Sequence, residues 1–276
     1  MPNKKITRRT LIIGGGALLI SYLFFEVESV AVTKYTVPVR NLPSAFNGFT
    51  ILHLTDLHSK EYGKKQERLL KLIKRFDYDM VALTGDFVDK NNPLINPALS
   101  LIQQLSTKPL FYVPGNHDWW TNKIIKEPFL AEGVRILENT NYKLTKGDQH
   151  LWIIGVDDPY MGKDNLELAL KGTDDLSPKL LLAHAPNIYP SAIQAKIDLV
   201  MVGHTHGGQV RLPFIGAIIA PGQGLFPEYD YGLYSTDSTH MVINGGLGES
   251  VLPLRFYNRP EIVLITLVEK NHDERM

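Results

Sequence analysis

Apolar residues come in short runs along this chain, and polar or charged stretches separate them. The runs are Phe49–Leu54, Met80–Leu83, Leu110–Val113, Leu151–Val156, Leu180–Ala183 and Leu199–Val202. Each has strand length and is rich in Val, Ile, Leu or aromatic residues, so each predicts a buried strand. Lys65–Arg75, Ala98–Leu105, Asn165–Leu170 and Ile188–Ala195 lie between several of them and read as helices. Leu69, Leu70, Ile73 and Phe76 recur there at helical spacing. Strand–helix–strand units of about 30 residues predict an α/β fold. Beyond Val210 the helical signals thin out. Strand-like runs at Thr239–Ile243 and Glu261–Val268 predict a second, more antiparallel sheet. No repeat, low-complexity linker or composition break divides the chain after about Lys34, so residues 31–276 read as one domain.

The first thirty residues follow a different pattern. Lys4, Lys5, Arg8 and Arg9 precede an uncharged stretch from Leu11 to Phe25. A basic segment before a short apolar one reads as a signal peptide, and the stretch is short of the roughly 20 residues that span a bilayer. The paired arginines resemble a twin-arginine export signal, although Thr7-Arg8-Arg9-Thr10-Leu11 departs from its usual serine and phenylalanine. Small residues that could mark a cleavage site are sparse, at Val27-Glu28-Ser29 or Ser29-Val30-Ala31, so the alternative is a retained anchor through residues 1–25. Either way the expected location is outside the cytoplasm: cell wall, periplasm or outer membrane face, reached through the twin-arginine machinery. Gly14, Gly15 and Gly16 are no phosphate loop, because no strand precedes them.

Composition mainly excludes. Lys plus Arg and Asp plus Glu both number 29, so no overall basic field points to nucleic acid. There is no cysteine, which removes disulfides, thiolate ligands and thiol nucleophiles.

Candidate chemistry gathers where the apolar runs stop. ILHLTDLH ends in Asp56 and His58, and MVALTGDFVD in Asp86 and Asp89. LFYVPGNHD ends in Asn116, His117 and Asp118, LLLAHAP carries His184, and LVMVGHTH ends in His204 and His206. Parallel strands bring their carboxyl ends to one edge, so these groups should converge. Side chains two apart on an extended segment share a side, about 6.5–7 Å apart at Cα. That spacing lets His204 and His206, or Asp56 and His58, serve separate ions about 3.5–4 Å apart. Asp86 could bridge the ions through its two oxygens. His53, inside a strand, reads as a core residue, and His150, His240 and His272 as surface or loop residues.

The set DLH, GDFVD, GNHD, the single histidine of LLLAHAP and GHTHGGQ resembles the calcineurin-like metallophosphoesterase superfamily in order and spacing. NLPSAFNGFTILHLTDLH and GGLGESVLPLRFYNRPEI resemble its bacterial twin-arginine-exported phosphodiesterase branch, which is similar to enzymes cleaving the pyrophosphate of UDP-diacylglucosamine. The resemblance implies a four-layer α/β/β/α sandwich of two mixed sheets. It implies one metal on Asp56, His58 and His206, another on Asn116, His184 and His204, and Asp86 as the bridge. His117 would face the substrate phosphate and protonate the leaving oxygen, with Asp118 orienting it. Asp89 would support the site without binding metal. It stands where the purple acid phosphatases carry a tyrosine, so their ferric centre is not expected. A different two-metal fold, that of the metallo-β-lactamases, wants Asp-His after its His-x-His, and here Gly207 and Gly208 follow.

The implied activity is hydrolysis of a phosphodiester, phosphomonoester or pyrophosphate, with two metals activating water for in-line attack and neutralising phosphoryl charge. The alternative is a non-catalytic metal-binding or interaction module on the same fold. A nitrogen and oxygen ligand set suits Mn, Fe or Zn. Export points to a lipid-linked or cell-wall phosphoester. Lys60, Lys64, Lys65 and Arg68 read either as steering charge for phosphate or as a solvated helix face. Tyr160, Tyr189 and Phe226 are candidate pocket walls.

Overall fold

The computed structural model describes residues 8–208, 210–212, 214–249 and 255–270. The chain opens with helix α1 (Arg8–Glu28) and strand β1 (Ala31–Val39), then β2 (Thr50–Leu54), α2 (Glu67–Ile73), β3 (Met80–Thr84) and α3 (Asn96–Leu105). β4 (Leu110–Val113), α4 (Asn116–Trp120), α5 (Lys126–Ala131), β5 (Arg135–Ile136), β6 (Thr140–Lys146) and β7 (Gln149–Gly155) follow. Next come α6 (Leu166–Ala169), β8 (Lys179–Leu182), α7 (Tyr189–Gln194) and β9 (Leu199–Val202). Four very short strands, β10 (Arg211–Leu212), β11 (Gly216–Ala217), β12 (Ile219–Ala220) and β13 (Gly224–Leu225), precede β14 (Gly232–Ser235), β15 (His240–Ile243) and β16 (Glu261–Glu269).

Two six-stranded mixed sheets form, in the orders β1-β16-β2-β3-β4-β5 and β14-β15-β9-β8-β7-β6. β2 to β5 run parallel, and β16 lies antiparallel to β2. In the second sheet β7, β8, β9 and β15 run parallel, with β6 and β14 as antiparallel edges. Strands such as Met80–Thr84 are buried along their whole length. Their unbroken apolar runs reflect cover on both faces rather than the alternation of a half-solvated sheet. Ile51, Ala82 and Phe111 of one sheet meet Ile153, Leu182 and Met201 of the other in a core between the sheets. Leu69, Ile73, Leu101 and Phe129 pack helices on the outer face of the first sheet, and Ile188 and Ala192 do so on the second. This is the expected α/β/β/α sandwich.

Two expectations are revised. The C-terminal third builds only two two-stranded ribbons of its own, β10 with β11 and β12 with β13: β14 and β15 extend the second sheet, and β16 inserts between β1 and β2 in the first. Its apolar run is wholly buried except near its end, and a central slot is the place for such a strand. The first helix also starts later than Lys65. Gln66 is buried, its side chain bonded to Tyr62 N, Lys60 O and Pro97 O, and this pins it at φ 64° and keeps it out of the helix.

His53 is buried and bonds Thr84 Oγ1 at 2.8 Å. His150 pairs with Asp175, whereas His240 is buried, not superficial. His272 lies outside the described residues, as do Lys4, Lys5, Thr7 and residues 250–254 of the C-terminal resemblance segment. α1 is longer than the apolar stretch that predicts it. Among the described residues no helix is both long and apolar enough to cross a membrane.

Candidate metal centre

The carboxyl ends of β2, β3, β4, β8 and β9 deliver their polar groups to one edge, and all nine predicted site residues are buried there. Asp56 Oδ1, His58 Nε2 and His206 Nε2 face one another, with separations of 3.7, 3.4 and 3.1 Å. A second group centres on His184 Nε2, which lies 3.1 Å from Asn116 Oδ1, 3.1 Å from His204 Nδ1 and 3.3 Å from Asp86 Oδ2. Asp86 Oδ2 also lies 3.7 Å from His58 Nε2. One oxygen, not two, therefore stands between the groups. The other, Oδ1, accepts the backbone N–H of His117 at 2.8 Å.

The donors are held by bonds to their remaining atoms. Asp56 Oδ2 accepts from Thr55 Oγ1 (2.7 Å) and His204 N (3.0 Å), while its Oδ1 is buried with no hydrogen-bond partner among the described residues. His184 Nδ1 donates to the Thr84 carbonyl at 2.8 Å, which leaves Nε2 as a lone-pair donor. Metal–ligand bonds of about 2.0–2.2 Å put neighbouring donors roughly 3–3.5 Å apart. The spacing and the orphaned Asp56 oxygen both fit bound ions.

The ligand-bearing segments are not extended. Asp56, His58, Asp86, His204 and His206 have φ of 50, 47, 55, 69 and 50°. His204 and His206 thus diverge from a tight turn past the end of β9, and the expectation of two side chains on one face of a strand does not apply. Close approach is set by small residues: a Cβ on Gly203 would sit 2.2 Å from both Asp56 Oδ2 and Thr55 Oγ1.

Charge is finely divided. Burial raises the Asp56 and Asp86 carboxyls, but the surrounding histidines override it and hold both well below the usual range. Burial pushes His58 down, but Asp56, Asp89 and Asp86 lift it to about 9; burial also lowers His184, but Asp86 foremost lifts it well above its ordinary value. Burial lowers His204 and His206 to about 3.

His117 lies beside the first group, its ring 4.5 Å from that of His58 and nearly perpendicular to it. Lys90 N donates to His117 Nδ1 at 3.1 Å, which puts the proton of a neutral imidazole on Nε2. Asp118 is not placed to orient this ring as expected. Its Oδ2 accepts from Asp86 N (2.7 Å) and Gly115 N (3.0 Å), and its Oδ1 takes no hydrogen bond among the described residues. Those bonds tie the Asp86 turn to the start of α4. The carboxylate beside His117 Nδ1 is that of Asp89, 3.3 Å away, and the same Oδ2 lies 3.3 Å from His58 Nδ1.

Of the other candidates, Tyr160 lies at the site, its ring centre 4.5 Å from that of His204. Tyr189 is buried in the core and bonds Thr239 O. Phe226 is exposed beyond the site. Lys60 is no free steering charge: it bonds Glu249 at 2.6 Å and Val27 O at 2.8 Å. Arg68 pairs with Glu28, and Lys64 and Lys65 are exposed.

One support is not signalled in the sequence. Arg255 is fully buried and its guanidinium donates to the carbonyls of Gly245, Gly246 and Gly248. That loop backs the first ligand turn, through Leu247 N to Thr55 O and Gly248 N to Asp56 O. Arg255 lies in the segment GGLGESVLPLRFYNRPEI, but the resemblance of that segment assigns it no role. Asn258, in the same segment, bonds His206 O with its side chain and Glu26 with its backbone N–H.

Two sheets that gather paired donor clusters at one edge define a metallohydrolase architecture. The chain belongs to the calcineurin-like phosphoesterase family, whose model matches residues 49–208. It is 31% identical over 266 residues to the uncharacterized metallophosphoesterase YkuE of Bacillus subtilis (strain 168), covering 94% of this chain and 92% of that protein. An uncharacterized metallophosphoesterase of Aquifex aeolicus (strain VF5) is 30% identical, over 92% of this chain and 98% of its own length. The transmembrane protein with metallophosphoesterase domain of Bos taurus is 28% identical, and the match spans 89% of this chain but 59% of that protein. The protein is a phosphoester hydrolase with metal-binding clusters of the kind this usually dinuclear family carries.

Proposed function

We propose that the protein is an exported, binuclear phosphodiesterase that cleaves a phosphodiester or pyrophosphate bond of a cell-envelope substrate. The observation that carries the two-ion reading is Asp86 Oδ2, which stands between the two donor groups. Asp56, His58 and His206 would hold one ion, Asn116, His184 and His204 the other. The ions supply Lewis acidity toward phosphoryl oxygens and lower the pKa of water; Mn, Fe and Zn all suit the donors. His117, held by the Lys90 N–H into Nδ1 and standing beside Asp89, gives its proton to the leaving oxygen. Tyr160, over His204, walls the substrate.

Export through the twin-arginine route is supported by Arg8 and Arg9 ahead of the apolar stretch. Retention of the segment as an anchor is supported by its docking. Glu26 is buried and accepts Asn258 N, and Arg259 bonds Ser29 O and Ser29 Oγ at the candidate cleavage sites. The bovine relative is itself described as a transmembrane protein.

The test is metal content and turnover together. Protein loaded with Mn, Fe or Zn should bind two equivalents and cleave an aryl phosphodiester. Asp86→Ala should lose both ions, because one oxygen serves both groups. Full loading without turnover on any diester, monoester or pyrophosphate would sink the catalytic reading and leave a binding module. Arg8→Lys with Arg9→Lys should keep the protein in the cytoplasm; unchanged localisation rejects the route.

A further inference from the structure

We infer that the two short ribbons beside the metal centre form a lip that seats in an anionic lipid surface, so that the phosphoester is taken from a bilayer. This deepens the phosphodiesterase reading above and rests on it.

The ribbons are β10 with β11 and β12 with β13, each only two residues long per strand. Phe214 and Ile215 in the β10–β11 turn, Leu225 in β13 and Phe226 just after it are exposed, Phe214 completely and Phe226 at 69%. Single exposed apolar residues are ordinary, but several large ones on two consecutive short ribbons mark a surface meant for something other than water.

The lip is built onto the site. Gly222 lies so close that a Cβ there would come 3.0 Å from Tyr160 and 3.3 Å from His204 Nε2. A Cβ on Gly208, just after His206, would collide with Ala217 of β11. The β12–β13 turn therefore lies against His204, and the ribbon that carries it is continuous with the exposed apolar residues.

The apolar surface continues into α1. Val210 pairs with Phe256 in a parallel bridge and Arg211 N donates to Phe256 O, while the Phe256 ring meets Tyr22 edge-on at 5.7 Å. From there Leu18, Ile20, Phe24 and Phe25 of α1 are exposed. A helix apolar on its exposed sides needs an apolar environment.

Charge then selects the occupant. α2 stands at the last turn of α1 through the 2.6 Å pair Arg68–Glu28, and Lys64, Lys65, Lys71 and Lys74 around it are exposed. A bilayer combines an apolar interior with an anionic surface that attracts nearby Lys and Arg side chains. A second copy packed symmetrically would bring the same basic face near itself.

The experiment uses the full chain and vesicles of phosphatidylglycerol and phosphatidylcholine in equal parts, with brominated acyl chains as quencher. Phe214→Trp should show bromine quenching well beyond that of the parent, which has 3 tryptophans of its own. Quenching equal to the parent overturns the lip. Phe214→Ser with Ile215→Ser should lower turnover of a vesicle-borne lipid phosphodiester by about tenfold or more, from the lost burial of two apolar side chains. Its turnover of a soluble aryl diester should not change. An equal fall on both substrates makes the ribbons merely structural and overturns the inference. So does self-association of the parent that the double variant abolishes. If the parent turns over neither substrate while Phe214→Trp is still quenched, the phosphodiesterase reading fails and the lipid-seating lip stands.

Discussion

Asp56, His58, Asp86, His204 and His206 all occupy left-handed backbone, which costs a non-glycine residue about 1–2 kcal/mol each. Such strain persists where the surroundings over-determine it. Here Asp56 N bonds Gly85 O, His58 N bonds Asp86 O and His204 N bonds Asp56 Oδ2. The ligands are held converged before any ion arrives. His58 is lifted to about 9, so in the ion-free protein it is protonated at neutral pH, and the neighbouring carboxylates shift His184 in the same direction. An ion must displace those protons. Affinity should rise with pH through about 9, where His58 is half deprotonated, and the His58 contribution levels off only above that. Calorimetric titration in buffers of different ionisation enthalpy should show proton release on loading below that pH; none would contradict the assignment. His117 is shifted the other way, down by burial. Its acid form is therefore lost as pH rises through a value below the ordinary 6.5. His117→Ala should keep both ions and slow turnover about 10²–10⁴-fold on an alkyl diester. A nitrophenyl ester, whose leaving group needs no proton, should lose much less. Equal losses on the two would remove His117 from the role of acid.

At the scale of elements, the strands and the turns after them were legible in unequal degree. Leu110–Val113 and Leu199–Val202 form where their apolar runs predict, because a strand buried on both faces leaves an unbroken run. The turns beyond were legible in residue type but not in shape. Nothing in Gly-His-Thr-His says that both histidines take positive φ, and the bond that holds His204 N on Asp56 Oδ2 is made across the sheets. Nor does it say why Gly203 must be glycine. Gly203→Ala should drive a Cβ into Asp56 Oδ2 and displace the ligand. Bound metal should fall from two equivalents toward one with the far-ultraviolet circular dichroism unchanged. Two tightly held ions in this variant would mean that Asp56 yields without loss.

At the scale of the whole molecule, α1 is joined to the body beside the site. Glu26 caps Asn258 N, Val27 O receives Lys60, and Glu28 pairs with Arg68. A chain beginning at Ala31 loses these bonds and leaves Asn258, which holds His206 O, with one fewer tie. The buried Glu26 bond alone contributes about 1.5–3 kcal/mol, and the bonds at Lys60 and Arg68 add to it. At about 2–4 °C per kcal/mol for a chain of this size, the truncated protein should melt at least roughly 3–12 °C lower. An unchanged melting temperature would show that α1 rides on the domain without supporting it.

By itself the sequence determined the alternation of strands and helices, the donor types at the strand ends and their order, because apolar periodicity and residue chemistry are local properties. It also carried the family resemblance in those motifs. Tertiary structure decided what depends on contacts between distant segments. It divided the C-terminal strands between two sheets, put one oxygen of Asp86 between the donor groups and set Asp89 beside His117. It also turned Asp118 toward the backbone and buried Arg255 under the ligand turn. Each outcome rests on which atoms from different strand ends come within bonding distance, and spacing along one chain does not encode that.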